Sequence, residues 1–212
     1  VSAYIGASGF SYPSWKPGFY AADTKPDEFL RRYAERLPSV ELNTTGYRLP
    51  AEQSFVRWAK QTPPEFRFAV KLPGHFTRRL GTFEERASLL GERLGILRVT
   101  VDQPRDDGFL ALLLGSLDPS IPLAFDFRHA SWNAAELARG VRVDEWDADP
   151  PYRYLRFREP PYADHALEAI AARIRPLVER GVDVYAYFRH EDEPTAPLYA
   201  ERVLHLLRNA HP

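Results

Sequence analysis

The stretch Leu123-Ala-Phe-Asp-Phe-Arg-His-Ala-Ser-Trp132 puts a carboxylate, a guanidinium, an imidazole and an indole close together in the chain. On a strand, Asp126 and Arg128 point one way while Phe125 and Phe127 point the other. The same alternation runs through Val40-Glu-Leu-Asn43, Phe66-Arg-Phe-Ala-Val-Lys-Leu72, Arg153-Tyr-Leu-Arg-Phe-Arg158 and Asp183-Val-Tyr-Ala-Tyr-Phe-Arg189. One parity is apolar. The other collects Glu41, Asn43, Lys71, Asp126, Arg128, Arg156, Arg158, Tyr187 and Arg189. On that parity Lys71 could serve as a general base or a Schiff-base amine, provided cationic neighbours depress its pKa. Asp126 and Glu41 could form an acid/base pair. The structural alternatives are that Lys71 pairs with Glu41 or Asp126, and that the two carboxylates hold Arg128 and Arg156.

The charges on this parity do not balance. Lys71, Arg128, Arg156, Arg158 and Arg189 give five positive charges against two negative ones, Glu41 and Asp126. An uncompensated positive excess in a low-dielectric cavity is costly without an anion. Arginine suits bidentate recognition of phosphate or carboxylate. The expected ligand is therefore a small anionic molecule. His75, His129 and His190 with Glu41 and Asp126 could in principle ligate a metal. No HxH or HxxxH spacing supports this, and the positive excess opposes a cation, so neither metal nor cofactor is expected. Tyr12, Trp15 and Tyr20 lie in a long aromatic loop. They could close over a ligand as a lid, or plug the fold with aromatic bulk. Trp132 and His129, at the end of the fifth strand, complete the candidate binding set.

These side chains converge only if the strands carrying them lie side by side. Strands are expected at 4–8, 39–43, 66–72, 96–101, 123–128, 141–143, 153–158 and 183–189. Helices are expected at 26–37, 51–61, from Thr82 with a Thr-x-x-Glu capping box to Glu85, at 109–117, from Asn133 to near Gly140, at 163–180 and at 196–209. Pro176 would kink the helix over 163–180, and Gly181 would stop it. No helix fits after the sixth strand, because 144–151 is short and proline-bearing. Strand–helix alternation of this kind predicts an α/β fold, a short (β/α)₈ TIM barrel with an irregular sixth unit. A doubly wound open sheet is the other candidate, but no glycine-rich nucleotide fingerprint supports it. In a barrel the polar parity faces inward, with its charges toward the carboxyl ends of the strands, where barrel active sites lie.

Composition narrows the class. The chain has 212 residues and a formal net charge of −1, which suits a single domain over 1–212 and opposes a dedicated nucleic-acid protein. It has no cysteine, which excludes disulfides and thiolate metal sites. Its 28 basic residues include only four lysines, at 16, 25, 60 and 71, a skew that by itself proves nothing about function. No apolar run approaches the ~18 residues of a membrane span. Val1-Ser-Ala-Tyr-Ile shows no signal-peptide pattern, so a cytoplasmic protein is expected.

Several motifs in order resemble the YecE-like proteins, the domain of unknown function 72. They are Ile5-Gly-Ala-Ser-Gly-Phe-Ser-Tyr12 with Trp15 and Phe19-Tyr20; Val40-Glu-Leu-Asn-Thr-Thr45 with Tyr47; Phe66-Arg-Phe-Ala-Val-Lys-Leu-Pro73; Asp126-Phe-Arg-His-Ala-Ser-Trp132; and Tyr185-Ala-Tyr-Phe188 followed by Ala196. The resemblance covers nearly the whole chain. It implies a TIM barrel and no settled activity. Against the family pattern, Arg78 stands where a His is usual, Arg158-Glu159 replaces His-Gly, and Arg189-His190 replaces paired Asn. Asp126 stands for a Glu. Thr100 stands for a Gln, unless Gln103 has shifted into that role. Three of these departures bring arginine toward the expected mouth, which implies a more anionic ligand or a decayed ancestral site.

Three function classes follow. The first is an enzyme, a hydrolase or lyase, acting on a small phosphate- or carboxylate-bearing molecule. The second is a barrel that binds nucleic acid or processes phosphodiesters, which the overall charge disfavours. The third is a non-catalytic barrel that binds a metabolite or a protein.

Overall fold

The computed structural model describes residues 3–46, 49–72, 80–148 and 150–209. Tyr47, His75 and Arg78 lie outside them. Among the described residues eight strands are present: β1 (Ala3–Ala7), β2 (Ser39–Leu42), β3 (Arg67–Lys71), β4 (Leu94–Val101), β5 (Leu123–Phe127), β6 (Val141–Arg142), β7 (Tyr152–Phe157) and β8 (Asp183–Phe188). Six α-helices accompany them: α1 (Phe29–Ala34), α2 (Glu52–Gln61), α3 (Leu80–Ser88), α4 (Asp107–Ser116), α5 (Asp164–Glu179) and α6 (Thr195–Arg208). Every strand pairing is parallel.

The hydrogen bonds do not draw the single closed ladder expected from the sequence. They form two sheets, one in the order β1-β8-β7 and one in the order β2-β3-β4-β5-β6. At each seam other groups replace the ladder. Between β1 and β2 the hydroxyl of Tyr33 accepts the Ala7 N–H at 2.7 Å and donates to the Ser39 carbonyl at 2.9 Å. Gly6 permits this approach, because a Cβ there would stand 1.9 Å from the Ser39 carbonyl oxygen. Between β6 and β7 the work falls to Asp144. Its N–H donates to the Tyr154 carbonyl at 2.8 Å, and its carboxylate accepts the Arg156 N–H at 2.6 Å.

The two parities of the strands bury against different partners. Val40, Phe68, Val70, Val99, Phe125, Leu155, Val184 and Ala186 join the large core shared with the helices. The opposite parity forms a second core of Ala69, Ile96, Ala124, Val141, Tyr154, Tyr185 and Tyr187. Toward the carboxyl ends of the strands that parity turns charged, with Glu41, Lys71, Arg98, Asp126 and Arg156.

Several local expectations are overturned. The helix expected from Asn133 to near Gly140 is absent; only a 3₁₀ turn, Ala130–Trp132, follows β5. Arginines organise the backbone there instead. Arg142 donates to the carbonyls of Trp132 and Ala135, and Arg139 to those of Leu117, Asp118 and Ile121. The loop after β6 is gathered by the buried Arg153, which donates to the carbonyls of Trp146, Ala148, Pro150 and Tyr152. Helix α3 begins at Leu80, so Thr82 lies within it and caps nothing. The first helix is also shorter than its periodicity suggests: a 3₁₀ turn over Pro26–Glu28 precedes α1. Among the described residues no helix is long and apolar enough to cross a membrane.

Candidate functional site

At the carboxyl ends of the strands the inward parity forms one ionic network. Its centre is Arg98 on β4, a residue the sequence reading did not single out. Arg98 is 2% exposed. It reaches in two directions. Its Nη1 donates to Asp126 Oδ2 on β5 at 3.1 Å, and its Nη2 donates to Asn43 Oδ1, just past β2, at 2.9 Å. The second contact spans β3, where Lys71 is the register partner of Arg98.

Asp126 is shared by four guanidiniums. Besides Arg98, Arg128 Nη2 lies 3.2 Å away, Arg158 Nη2 3.5 Å and Arg156 Nη1 3.9 Å. Arg158 is also bound to Asp144 Oδ2 at 2.6 Å. Asp144 holds a positive φ of 66°, which is unusual for a residue with a Cβ. Around this group, between β5, β6 and β7, lies a cavity of about 470 Å³ lined by Asp126, Arg128, Asn133, Arg142, Asp144 and Arg158, among others. Arg128 and Arg158 are its accessible cations, with side chains 52% and 35% exposed.

Glu41 is fully buried and is linked to Asp126 through Arg98 and Arg156. Tyr154 donates to its Oε2 at 2.7 Å, and Arg156 Nε and Arg98 Nε stand 3.0 Å and 3.8 Å from the same oxygen. Burial alone would raise the Glu41 pKa. Arg98 and Arg156, helped by Tyr154 and Asn43, outweigh it and hold the carboxyl below the usual range. Lys71 is half-buried at the end of β3. Its pKa is lowered by burial first and by Arg98 second; Glu41 opposes them, and Arg156 and Arg128 add to the lowering. Two chemistries are available here: binding of an anion by exposed arginines, and proton transfer by an amine of depressed basicity beside an ionised carboxylate.

The structure thus brings together Glu41, Asn43, Asp126, Arg128, Arg156 and Arg158, with Lys71 electrostatically coupled to them. It places other candidates elsewhere. Tyr187 lies deeper, fully buried, its hydroxyl 2.6 Å from Ser39 Oγ. Trp15 and Trp132 are fully buried and have no surface to offer a ligand. The indole of Trp15 donates to the Glu191 carbonyl, and that of Trp132 to the Gln103 carbonyl while stacking on Phe127. His129 is exposed and caps the 3₁₀ turn after β5, its Nδ1 accepting the Ser131 N–H at 3.2 Å. Arg189 is exposed and, among the described residues, makes no ion pair. The loop after β1 is mainly a plug: Trp15, Phe19 and Tyr20 are core residues. Of the three lid candidates, Tyr12 alone stays half-buried. It stacks on His190 at 4.8 Å, and its pKa is pushed up to about 12 by burial and then by the charge of Glu41. Among the described residues no group of histidines and carboxylates is arranged to hold a metal ion; His75 lies outside them.

Arg98, Asp144 and Tyr154 complete the site. Arg98 was legible: it shares the parity of Thr100, which pairs in register with Asp126. Asp144 was not, because nothing in its flanks marks a left-handed residue.

Residues 4–212 match the family model "Protein of unknown function DUF72". The UPF0759 protein YecE of Escherichia coli K12 is 30% identical over 144 residues, which is 62% of this chain and 50% of that protein. The UPF0759 protein YunF of Bacillus subtilis is 24% identical over 153 residues, 61% of this chain and 51% of that one. The match thus spans about half the length of these curated relatives. Among solved structures, a DUF72 family protein of Thermotoga maritima superimposes with a TM-score of 0.77 at 25% identity, covering 99% of this chain and 100% of its own. One from Enterococcus faecalis gives a TM-score of 0.75 at 17% identity, covering 100% of this chain and 97% of its own, a likeness of fold.

Proposed function

The chain belongs to the family of proteins of unknown function DUF72, and on that footing we propose that it binds a small phosphate- or carboxylate-bearing molecule at the carboxyl ends of its strands. The observation that carries this reading is the crowding of Asp126. Four guanidiniums stand within 4 Å of one carboxylate, and two of them, Arg128 and Arg158, face an open cavity. Asp126, Glu41 and Asp144 give three negative charges against the four arginines. An anion arriving at Arg128 and Arg158 would supply the missing charge, in the geometry arginine recognises best.

The scaffold in this reading is a short (β/α)₈ barrel. The cyclic strand order and the two bridged seams support that. Lys71 and Asp126 lie nearest any chemistry. A lysine of lowered pKa next to an anion subsite suits a hydrolase or lyase acting on the bound molecule. The second reading is a non-catalytic barrel that uses the same subsite to hold a metabolite; the engagement of Asp126 by four arginines favours it. Contact with nucleic-acid phosphates would need a broad basic face, and the net charge of −1 gives it little support.

Calorimetric titration with inorganic phosphate, sugar phosphates and small carboxylates tests the reading. Arg128→Ala should weaken binding by about 1–2 kcal/mol, roughly 5- to 30-fold, the lower part of the range for a charged hydrogen bond because the side chain is half-exposed. Arg128 suits this test better than Arg156, whose guanidinium also braces Glu41. Wild type binding none of these anions, or Arg128→Ala binding them equally well, would make the arginines a structural network.

A further inference from the structure

Anion binding leaves two buried atoms of the same layer unexplained. On Glu41 the close donors gather at Oε2, while Oε1 is buried and, the carboxylate's weaker contact with Asn43 aside, receives no hydrogen bond. On β4, Thr100 Oγ1 is buried and likewise has no partner. Both residues lie on the inward parity of their strands. Arg98 touches the surroundings of each: it stands 3.8 Å from Glu41 and bonds Asp126, the register partner of Thr100.

The two atoms have complementary needs. A carboxylate oxygen can only accept, so Glu41 Oε1 requires a donor. The Thr100 hydroxyl has a proton to give and requires an acceptor. Leaving such groups buried and unpaired is costly, and folded proteins rarely do so without an occupant. Hydroxyl groups both donate and accept. A carboxylate or a bare phosphate dianion offers Glu41 no proton at all. We propose that the natural ligand is a small polyhydroxylated phosphate monoester, a sugar or polyol phosphate, with its phosphate on Arg128 and Arg158 and its hydroxyls on Glu41 and Thr100. This rests on the anion-binding reading above.

The test compares affinities within one protein. Methyl phosphate, glycerol phosphate and ribose phosphate are titrated calorimetrically at fixed ionic strength into wild type, Thr100→Val and Glu41→Gln. Wild type should favour the polyol phosphates over methyl phosphate by about tenfold or more, the scale of one or two well-made hydrogen bonds. Thr100→Val conserves shape and removes only the hydrogen-bonding atom, so it should fold and should collapse that preference to under about threefold. Glu41→Gln should do the same if its thermal unfolding stays cooperative. Equal affinity for all three phosphates in wild type would mean that ordered waters satisfy both atoms, and would overturn the inference while leaving the anion site standing. A preference that survives Thr100→Val would also overturn it. Failure of every phosphate to bind would remove the anion site itself.

Discussion

Arg98 and Asp126 form a buried ion pair between neighbouring strands, Nη1 to Oδ2 at 3.1 Å, with side chains only 2% and 8% exposed. Removing two charges from water is expensive, and an ion pair of this kind holds only when the remaining donors and acceptors are met. Here Asn43 accepts from Nη2 at 2.9 Å, and Glu41 supplies a second counter-charge 3.8 Å from Nε. Losing Arg98 leaves Glu41 and Asp126 buried with their best counter-charge gone. Arg98→Met should therefore cost about 3–5 kcal/mol, whereas Arg128→Met, at the half-exposed edge of the same network, should cost under ~1 kcal/mol. Urea unfolding of the two variants separates them. Equal losses would mean that Arg98 is not the structural centre.

Glu41 makes the fold sensitive to acid. Its pKa is lowered in the folded protein from an ordinary value of 4.5, by Arg98 and Arg156 acting against burial. A depressed carboxylate contributes stability that is present above its unfolded pKa and is lost as pH falls through its folded pKa. The stability gap between wild type and Glu41→Gln should accordingly be widest above pH 4.5 and narrow below it. Denaturant midpoints measured across that range would show this. A gap that stays constant with pH would mean that Glu41 is not held ionised.

Much of this layer can be read from alternation alone. Side chains on a strand have a strict period of two, so Glu41, Asn43, Asp126, Arg156 and Arg158 sort to one side whatever their partners turn out to be. Arg98 is harder to notice because apolar residues, Ile96, Leu97, Val99 and Val101, surround it. The sixth unit was less legible. Asn133–Gly140 has helical composition, yet Arg142 takes the Trp132 and Ala135 carbonyls that a helix would need. A long-range partner there overrides local propensity. The two seams were not legible at all. Their bonds come from Tyr33, a helix residue, and from Asp144, a loop residue in a left-handed conformation.

The Tyr33 seam can be probed directly. Its hydroxyl is buried and satisfies two backbone groups on separate strands. Tyr33→Phe keeps the ring and strips both bonds, which should cost about 2–4 kcal/mol for two buried groups left unpaired. Hydrogen exchange should be faster at the Ala7 amide than at the Ser8 amide, which donates to the Phe188 carbonyl at 2.9 Å. Uniform acceleration along β1 would place the weakness elsewhere.

Lys71 offers the sharpest electrostatic check on the mouth. Burial and the nearby Arg98, Arg156 and Arg128 favour its neutral amine, and Glu41 only partly opposes them. A neutral amine is a nucleophile and an ammonium is not, so reactivity toward an acylating reagent follows the deprotonated fraction. The rate of Lys71 modification, read by peptide mass spectrometry against pH, should reach half its maximum below the ordinary value of 10.5. Saturating phosphate should move that midpoint back up. An anion at Arg128 and Arg158 adds negative charge near the amine and favours the ammonium. Arg128→Ala should shrink the phosphate-dependent shift, since it removes part of the anion's seat. A midpoint at or above 10.5 without phosphate would show that the arginines do not bias Lys71. A lowered midpoint that ignores phosphate would place any anion too far from Lys71 for the two to share a reaction.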